Sequence, residues 1–200
     1  MTFIPNRRDL TMTRLAIAAI VSATLLSQPA AADDMTNSAL AYVNANVLSW
    51  LSAPPVIAAI NSANSNNAGL TQDQINALDL QWRAEVGQAS ALIDGILGSP
   101  VSQQLRDHSE ASGGMVTEVI VMDALGLNVA ISGVTSDYWQ GDEAKHQQTF
   151  AVGAQASHVS EVEFDESTQS YSLQVSITLV DPATGQPIGA ATVGLNAEAL

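Results

Sequence analysis

The chain predicts an α+β fold, with helices first and an antiparallel sheet of five strands after them. Three observations predict it. Up to about Gly114 the apolar residues recur at spacings of three and four, the signature of amphipathic helices; from Val116 onward they alternate or run in short apolar blocks bounded by turn residues. Between the second and third strand-like segments lies a connector, Thr135 to Phe150, reading TSDYWQGDEAKHQQTF. Helices placed before the sheet and one short helix within it define the α+β layout.

Residues 1–32 read as an export signal. Arg7, Arg8 and Arg14 precede an apolar run from Leu15 to Leu26, and Ala30-Ala31-Ala32 offers a small-residue cleavage site before Asp33. The run is shorter than the ~20 apolar residues that span a bilayer. Asn6-Arg7-Arg8-Asp9-Leu10-Thr11 resembles a twin-arginine signal, whereas a start at Met12 leaves a compact general secretory signal. Either route puts the mature chain outside the cytoplasm, in the periplasm.

Of the 6 basic and 20 acidic residues, three and one fall in the signal, so the mature 168 residues carry a net charge of −16. That balance repels nucleic acid and anionic lipid, and Arg83, Arg106 and Lys145 form no basic run. The chain has no cysteine, which excludes disulfides and thiolate metal sites. No later run approaches a transmembrane length, so no membrane insertion is expected once the signal is removed. The sequence ends at Leu200 without a transmitter module, and signalling would need a separate partner.

Residues 33–70 form an N-terminal helical segment and connector. Leu40, Val43, Val47, Trp50 and Leu51 mark one helical face, Pro54 and Pro55 end it, and Val56 to Ile60 adds a turn or two. Asn61 to Gly69, rich in Asn and Ser, reads as a linker. Residues 71–200 form a single domain. Thr71 and Gln74 match a capping box, opening a long helix whose stripe runs Ile75, Leu78, Trp82, Val86, Ala89, Leu92, Ile93, Ile96 to near Gly98. This stripe is expected to be the largest apolar surface and the support for the sheet. Ser99-Pro100 restarts a helix that Gly113-Gly114 closes. Arg106 and His108 lie on it, expected in surface pairs with nearby acids.

Val116 to Met122 and Leu127 to Ser132 flank the turn Asp123-Ala124-Leu125-Gly126 and make a hairpin. Further strands cover His158–Asp165, Ser170–Val180 and Pro187–Leu195. A turn at Glu166 to Gln169 sets Phe164 opposite Tyr171, Val162 opposite Leu173 and Ser160 opposite Val175, which places Ser172, Gln174, Ser176 and Thr178 on one polar face. The small residues of the last strand, Gly189, Ala190, Ala191 and Gly194, leave room either for a ligand or for a closely packed helix.

VIVMDALGLNVAIS, the connector TSDYWQGDEAKHQQTF and VSEVEFDESTQSYSLQVSITLVDPATGQPIGAATVGLN together resemble the extracytoplasmic Cache (PDC-type) sensor domains, over roughly residues 71–196. The resemblance is nearest to free-standing periplasmic PDC-sensor proteins. It implies a PAS-like five-stranded sheet with a long N-terminal helix packed on one face, a ligand pocket on the other roofed by the connector, and a small polar solute such as an amine, amino acid or carboxylate. Many Cache connectors carry an Arg near Lys145 that grips a ligand carboxylate; here Gln140-Gly141-Asp142-Glu143 is acidic, which favours an amine-bearing or zwitterionic ligand.

The candidate ligand-binding residues are Asp137, Tyr138, Trp139, Lys145 and Ser176. Tyr138 and Trp139 would wall a pocket or seal the core; Asp137 would accept from a ligand amine; Lys145 would touch the ligand or pair with Asp142 or Glu143. Asp142 fits a helix N-cap better than a ligand. Asp137, Asp142, Glu143 and His146 match no metal-site spacing, and no cofactor or metal is expected. Glu161 and Glu163 read as a solvated face. His108, His146 and His158 fall on separate elements and no nucleophile motif is present, so the chain does not read as an enzyme. Two functions follow: a small-solute sensor reporting to a membrane-bound receptor or kinase, or a periplasmic protein-interaction module with a filled pocket.

Overall fold

The computed structural model describes residues 29–165 and 169–200. The export-signal reading lies outside the described residues for positions 1–28, as does most of the Glu166–Gln169 turn.

The first helical run comprises α1 (Pro29–Tyr42), a π-helical turn (Val43–Val47) and α2 (Leu48–Leu51). Its wider turn frees backbone carbonyls, and the Asn46 amide and Trp50 indole cap those of Tyr42 and Asn46 at 3.0 and 2.8 Å. Pro54 then opens α3 (Pro54–Asn67), bent 72° from the first run. The Asn- and Ser-rich stretch read as a linker is therefore helical. Its polar side chains are spent on the sheet: Asn64 donates to Ile188 O and accepts from Ala124 N, and Asn67 donates to the buried Asp123 carboxylate at 2.7 Å.

The expected long helix from Thr71 is two helices, α4 (Gln72–Glu85) and α5 (Ala91–Leu97). Thr71 and Gln74 form the capping box, but Val86 leaves helical geometry and Gly87 takes φ 78°, so the stripe breaks before Leu92. Ser99 caps α6 (Pro100–Ala111), closed by Gly113 and Gly114 at positive φ.

The strands are β1 (Val116–Asp123), β2 (Asn128–Ile131), β3 (Ser157–Val159), β4 (Glu163–Asp165), β5 (Ser170–Val180) and β6 (Pro187–Asn196). They form one antiparallel sheet in the order β2-β1-β6-β5, with β3 and β4 both along the outer side of β5. The five expected strand positions are present and the third is interrupted. Phe164 does oppose Tyr171, but β3 is shifted by one: His158 opposes Ser176 and Val159 opposes Val175. Ser160 consequently meets Gln174 rather than Val175, donating its N–H to Gln174 O while its hydroxyl accepts from Gln174 N. Two residues, Glu161 and Val162, span the gap as a bulge.

The helices cover both sheet faces. On one, Val43, Val47, Leu51, Ile57 and Ile60 pack against Val119, Val121, Val175, Ile177, Leu179, Ala191 and Val193. On the other, Ile75, Trp82, Ile93 and Tyr138 pack against Ile120, Met122, Leu127, Ile131 and Ala190. The larger core thus belongs to the helices before residue 68, not to the 71–98 stripe. Gly189 accounts for part of this: a Cβ there would strike Met122 O and come within 3.2 Å of Ile60, so its missing side chain admits α3. No single helix among the described residues is long and apolar enough to cross a membrane.

Candidate functional site

The second face of the sheet carries three rungs of paired residues. Met122, Ala190 and Thr178 form the first; Ile120, Thr192, Ser176 and His158 the second; Glu118, Gly194 and Gln174 the third. The connector covers the first two, and the third is open.

Backbone bonds hold the connector down. Asn128 N donates to Tyr138 O and Gln140 N to Gly126 O, at 3.1 and 2.8 Å. The Trp139 indole donates to Leu125 O at 2.8 Å and the Trp82 indole to Thr135 O at 2.9 Å. Asp79, buried in the α4 stripe, accepts the backbone N–H groups of both Tyr138 and Trp139 on one oxygen at 2.9 and 3.0 Å, while Arg83 holds the other at 2.7 Å. Gly126 (φ 83°) lies against Gly141, where any Cβ would sit 2.5 Å from the opposing backbone.

The five candidate residues find their partners inside this assembly. Tyr138 is buried and stacks on the fully buried Trp82, with ring centroids 5.4 Å apart; burial, helped by the Asp123 carboxylate, pushes its phenol up to about 12. Asp137 accepts from the buried Gln140 amide at 2.6 Å, Gln140 accepts from Lys145 at 3.0 Å, and Lys145 reaches Glu143 at 3.1 Å. Of the two readings of Lys145, the structure shows the ion pair, with Glu143. Ser176 is fully buried and shares a 2.9 Å hydrogen bond with Thr192. The Asp142 cap is a correction: α7 (Ala144–Gln147) begins one residue later than expected, so its N-cap position falls to the extended Glu143, whose side chain makes no cap bond. His146 is buried against Phe150, its Nε2 3.3 Å from Asp123 O, and burial lowers its pKa.

None of the four main clefts among the described residues takes a wall from Asp137, Tyr138, Trp139, Lys145 or Ser176. The largest, about 580 Å³, lies over the third rung. Its floor is Glu118, Gly194, Gln174 and Ser172; Arg106 and Glu110 of α6 stand on one side and Glu163 on another. Gly194 keeps the floor low, since a Cβ would meet the Thr117 hydroxyl at 2.7 Å. Of the small residues of β6, Gly189 serves helix packing, and Gly194 lines the cleft with the Thr117 and Glu118 side chains close above its Cα. Arg106 makes no ion pair among the described residues; it donates to Leu97 O and to Gln103, each at 2.8 Å. The surface pairing with acids expected of it is replaced by these neutral contacts, and His108 instead stacks on Trp50 at 4.7 Å.

Sequence reasoning missed Asp79, Gln140 and the cleft residues Arg106, Glu110, Glu118 and Glu163. For Asp79 a signal existed: an acid four residues after Ile75 and three before Trp82 lies on the buried stripe and needs a partner. The cleft had none, because it joins residues from α6, β1, β4, β5 and β6.

A sheet of this order, covered by α1–α3 on one face and on the other by α4, α5 and a clasped connector, has the PAS-like architecture. The solved structures it matches are sensor domains of histidine kinases and chemoreceptors, the kind of domain the sequence resembles. They include the sensor domain of the V. cholerae histidine kinase DctB, at 11% identity and TM-score 0.45, covering 84% of this chain and 54% of that one. The sensory domain of the Campylobacter jejuni chemoreceptor Tlp3 with isoleucine bound matches at 12% and 0.37, covering 86% and 65%. The ligand-binding domain of the Pseudomonas aeruginosa amino acid chemoreceptor PctC in complex with GABA matches at 18% and 0.34, covering 83% and 61%. The chain thus spans less than two thirds of the length of each of these three. No protein-family model and no curated protein matches it.

Proposed function

We propose that the chain is an exported, free-standing sensor-type module of the Cache kind that binds a small amine-bearing or zwitterionic solute in the periplasm and reports to a separate membrane-bound receptor or kinase. The resemblance of the 71–196 stretch supports the class. The observation that carries solute binding is the cleft of about 580 Å³ floored by the polar third rung. Such a volume suits a metabolite. Glu110, Glu118 and Glu163 offer carboxylates to an ammonium group, and Arg106 offers a guanidinium to a carboxylate. If Asp137, Tyr138, Trp139, Lys145 and Ser176 contact the solute instead, the connector must first lift and break both Asp79 bonds. The cleft requires no such opening.

The second reading, a protein-interaction module, is favoured by the solid packing of Tyr138 on Trp82 beneath the connector. A thermal-shift panel of amines, amino acids and carboxylates, followed by calorimetry, separates the two. A solute site in the cleft predicts a hit that Ser172→Trp abolishes and Lys145→Met leaves intact. The reverse result places the solute under the connector, and no shift from any compound leaves the interaction module.

A further inference from the structure

The face of the sheet that α1–α3 cover holds a cavity of its own, at the opposite end of β5 from the solute cleft. It has a volume of about 390 Å³ and opens beside the outer edge of that strand. Leu40, Val43 and Leu48 of the first helical run form one wall, and Ile177, Leu179 and Val180 form the floor. No acid or base lines it, in a chain whose net charge is −14. The solute cleft, with three glutamates and one arginine, is its chemical opposite.

Two features of the backbone shape this cavity. The π-helical turn ends with Leu48 N–H donating to Val43 O, five residues back. Residues five apart in an α-helix lie about 140° apart around the axis; the wider turn brings Leu48 round toward the side of Val43, which is buried against the sheet. Leu48 stays 36% exposed, so it lines the cavity without closing it. The second feature is the edge of β5. Thr178 N–H donates to Ala156 O at 3.1 Å, but Ala156 N–H turns away to Gly153 O, and the outer ladder stops there. Asp181 N–H points toward β6, bonding to Gln186 O, so the alternation leaves Val180 N–H facing the outer edge, past the last of these bonds.

We propose that this cavity binds a small neutral acyl compound, with its aliphatic chain between the Leu48 wall and the Ile177–Leu179 floor and its amide carbonyl accepting from Val180 N–H. Charge selects this chemistry. A carboxylate or an ammonium group would lose its water here with no counter-charge to replace it, whereas a neutral amide finds a hydrogen-bond partner at the strand edge. The volume lies at the lower end of the range for small-ligand sites, ~300–1,000 Å³, and suits one short chain rather than a two-chain lipid. Charged solutes belong to the other face, and the two sites work independently.

The test titrates the full chain with N-methylbutanamide and N-methylhexanamide and follows amide chemical shifts. Two further buried methylenes should tighten binding about tenfold. Shifts should centre on Leu48, Ala156 and Val180, the Val180 amide proton moving downfield as it gains a carbonyl. Hexanoate and hexylammonium should bind at least about tenfold more weakly than the hexanamide. Leu48→Glu and Ser52→Trp, both at exposed positions lining the cavity, should abolish binding without altering the far-ultraviolet circular dichroism. Leu80→Glu makes the same change at an exposed site on α4, across the sheet, and should leave binding unchanged. No shift at about 10 mM hexanamide, equal binding of the two chain lengths, a Val180 amide that does not move, or hexanoate binding as tightly as the amide overturns the proposal. Binding that survives either cavity variant, or is lost in Leu80→Glu as well, overturns it too. Phosphatidylcholine vesicles should not sediment the chain; sedimentation that Leu48→Glu removes would make the occupant a membrane lipid and refute the small-compound assignment.

Discussion

Replacing Asp79 by Ala tests whether the connector is clasped or merely laid on the sheet. The Asp79 carboxylate accepts two backbone N–H groups, those of Tyr138 and Trp139, at 2.9 and 3.0 Å, and Tyr138 is buried. Bonds to a charged acceptor contribute about 1.5–3 kcal/mol each, and a buried donor left without a partner costs about 1–3 kcal/mol. Arg83 moderates the loss, being half exposed and 3.7 Å from Asp137, so it keeps a second carboxylate. The expected cost is about 3–5 kcal/mol, which for a domain of this size lowers Tm by roughly 6–20 °C. Asp79→Asn keeps an acceptor oxygen and should cost about 1–2 kcal/mol. Urea denaturation of the two variants gives the difference, and hydrogen exchange of the Tyr138 and Trp139 amides localises it. If Ala and Asn cost the same, or Ala costs under about 1 kcal/mol, the two amides find other partners and the connector is not held by Asp79.

Gly126→Ala should destabilise by at least about 2 kcal/mol, because positive φ strains Ala and its Cβ would lie 2.5 Å from the Gly141 backbone; thermal denaturation reads it, and Gly69→Ala, with nothing near its Cβ, serves as control. Ser102→Ala should cost about 1–3 kcal/mol, since the fully buried hydroxyl accepts from Ile131 N at 3.0 Å and joins α6 to the outer strand β2; exchange of the Ile131 amide should accelerate with it. Burial lowers the His146 pKa from its ordinary 6.5, against the opposing pull of Asp123. The unfolded chain therefore takes up a proton at higher pH than the folded one, so this contribution is complete above pH 6.5 and is lost as pH falls below it. Urea midpoints between pH 5 and 8 should show a slope that His146→Gln removes; an unchanged slope excludes His146 as its source.

Local chemistry was readable and long-range chemistry was not. Thr71 with Gln74, Ser99-Pro100, Gly113-Gly114 and Gly126 each act within a few residues, and each does what its type requires. Asn61 to Asn67 misled because Asn and Ser favour turns when their side chains bond locally; here Asn64 and Asn67 bond to Ile188, Ala124 and Asp123, a tertiary use no spacing reveals. The 71–98 stripe misled differently. Its period is right on both sides of the break, and the two helices are separated by the extended backbone of Val86 and Ser90 and the positive φ of Gly87. In the connector, Tyr138 and Trp139 were located by type, but whether they wall a cavity or fill it depends on Trp82 and Asp79, more than fifty residues earlier.

The alternation of β5 explains why one face serves two purposes. Ser172, Gln174, Ser176 and Thr178 all point away from the larger core, yet they meet different neighbours. Ser176 is paired with Thr192, and the Thr178 hydroxyl is buried with no hydrogen-bond partner among the described residues. An unsatisfied buried hydroxyl costs about 1–3 kcal/mol, which the packing of the rest of the fold must offset. Ser172 and Gln174, further along the strand, are half-buried and line the cleft with Gly194. A solute there would draw Arg106 on α6 and Glu163 on β4 toward one another, while the connector, fixed by Asp79, Gly126 and Trp139, stays still. The readout of such a site is therefore expected in α6 and the β4–β5 hairpin, and an increase in exchange protection confined to Tyr138–Phe150 on adding a bound amine would refute it.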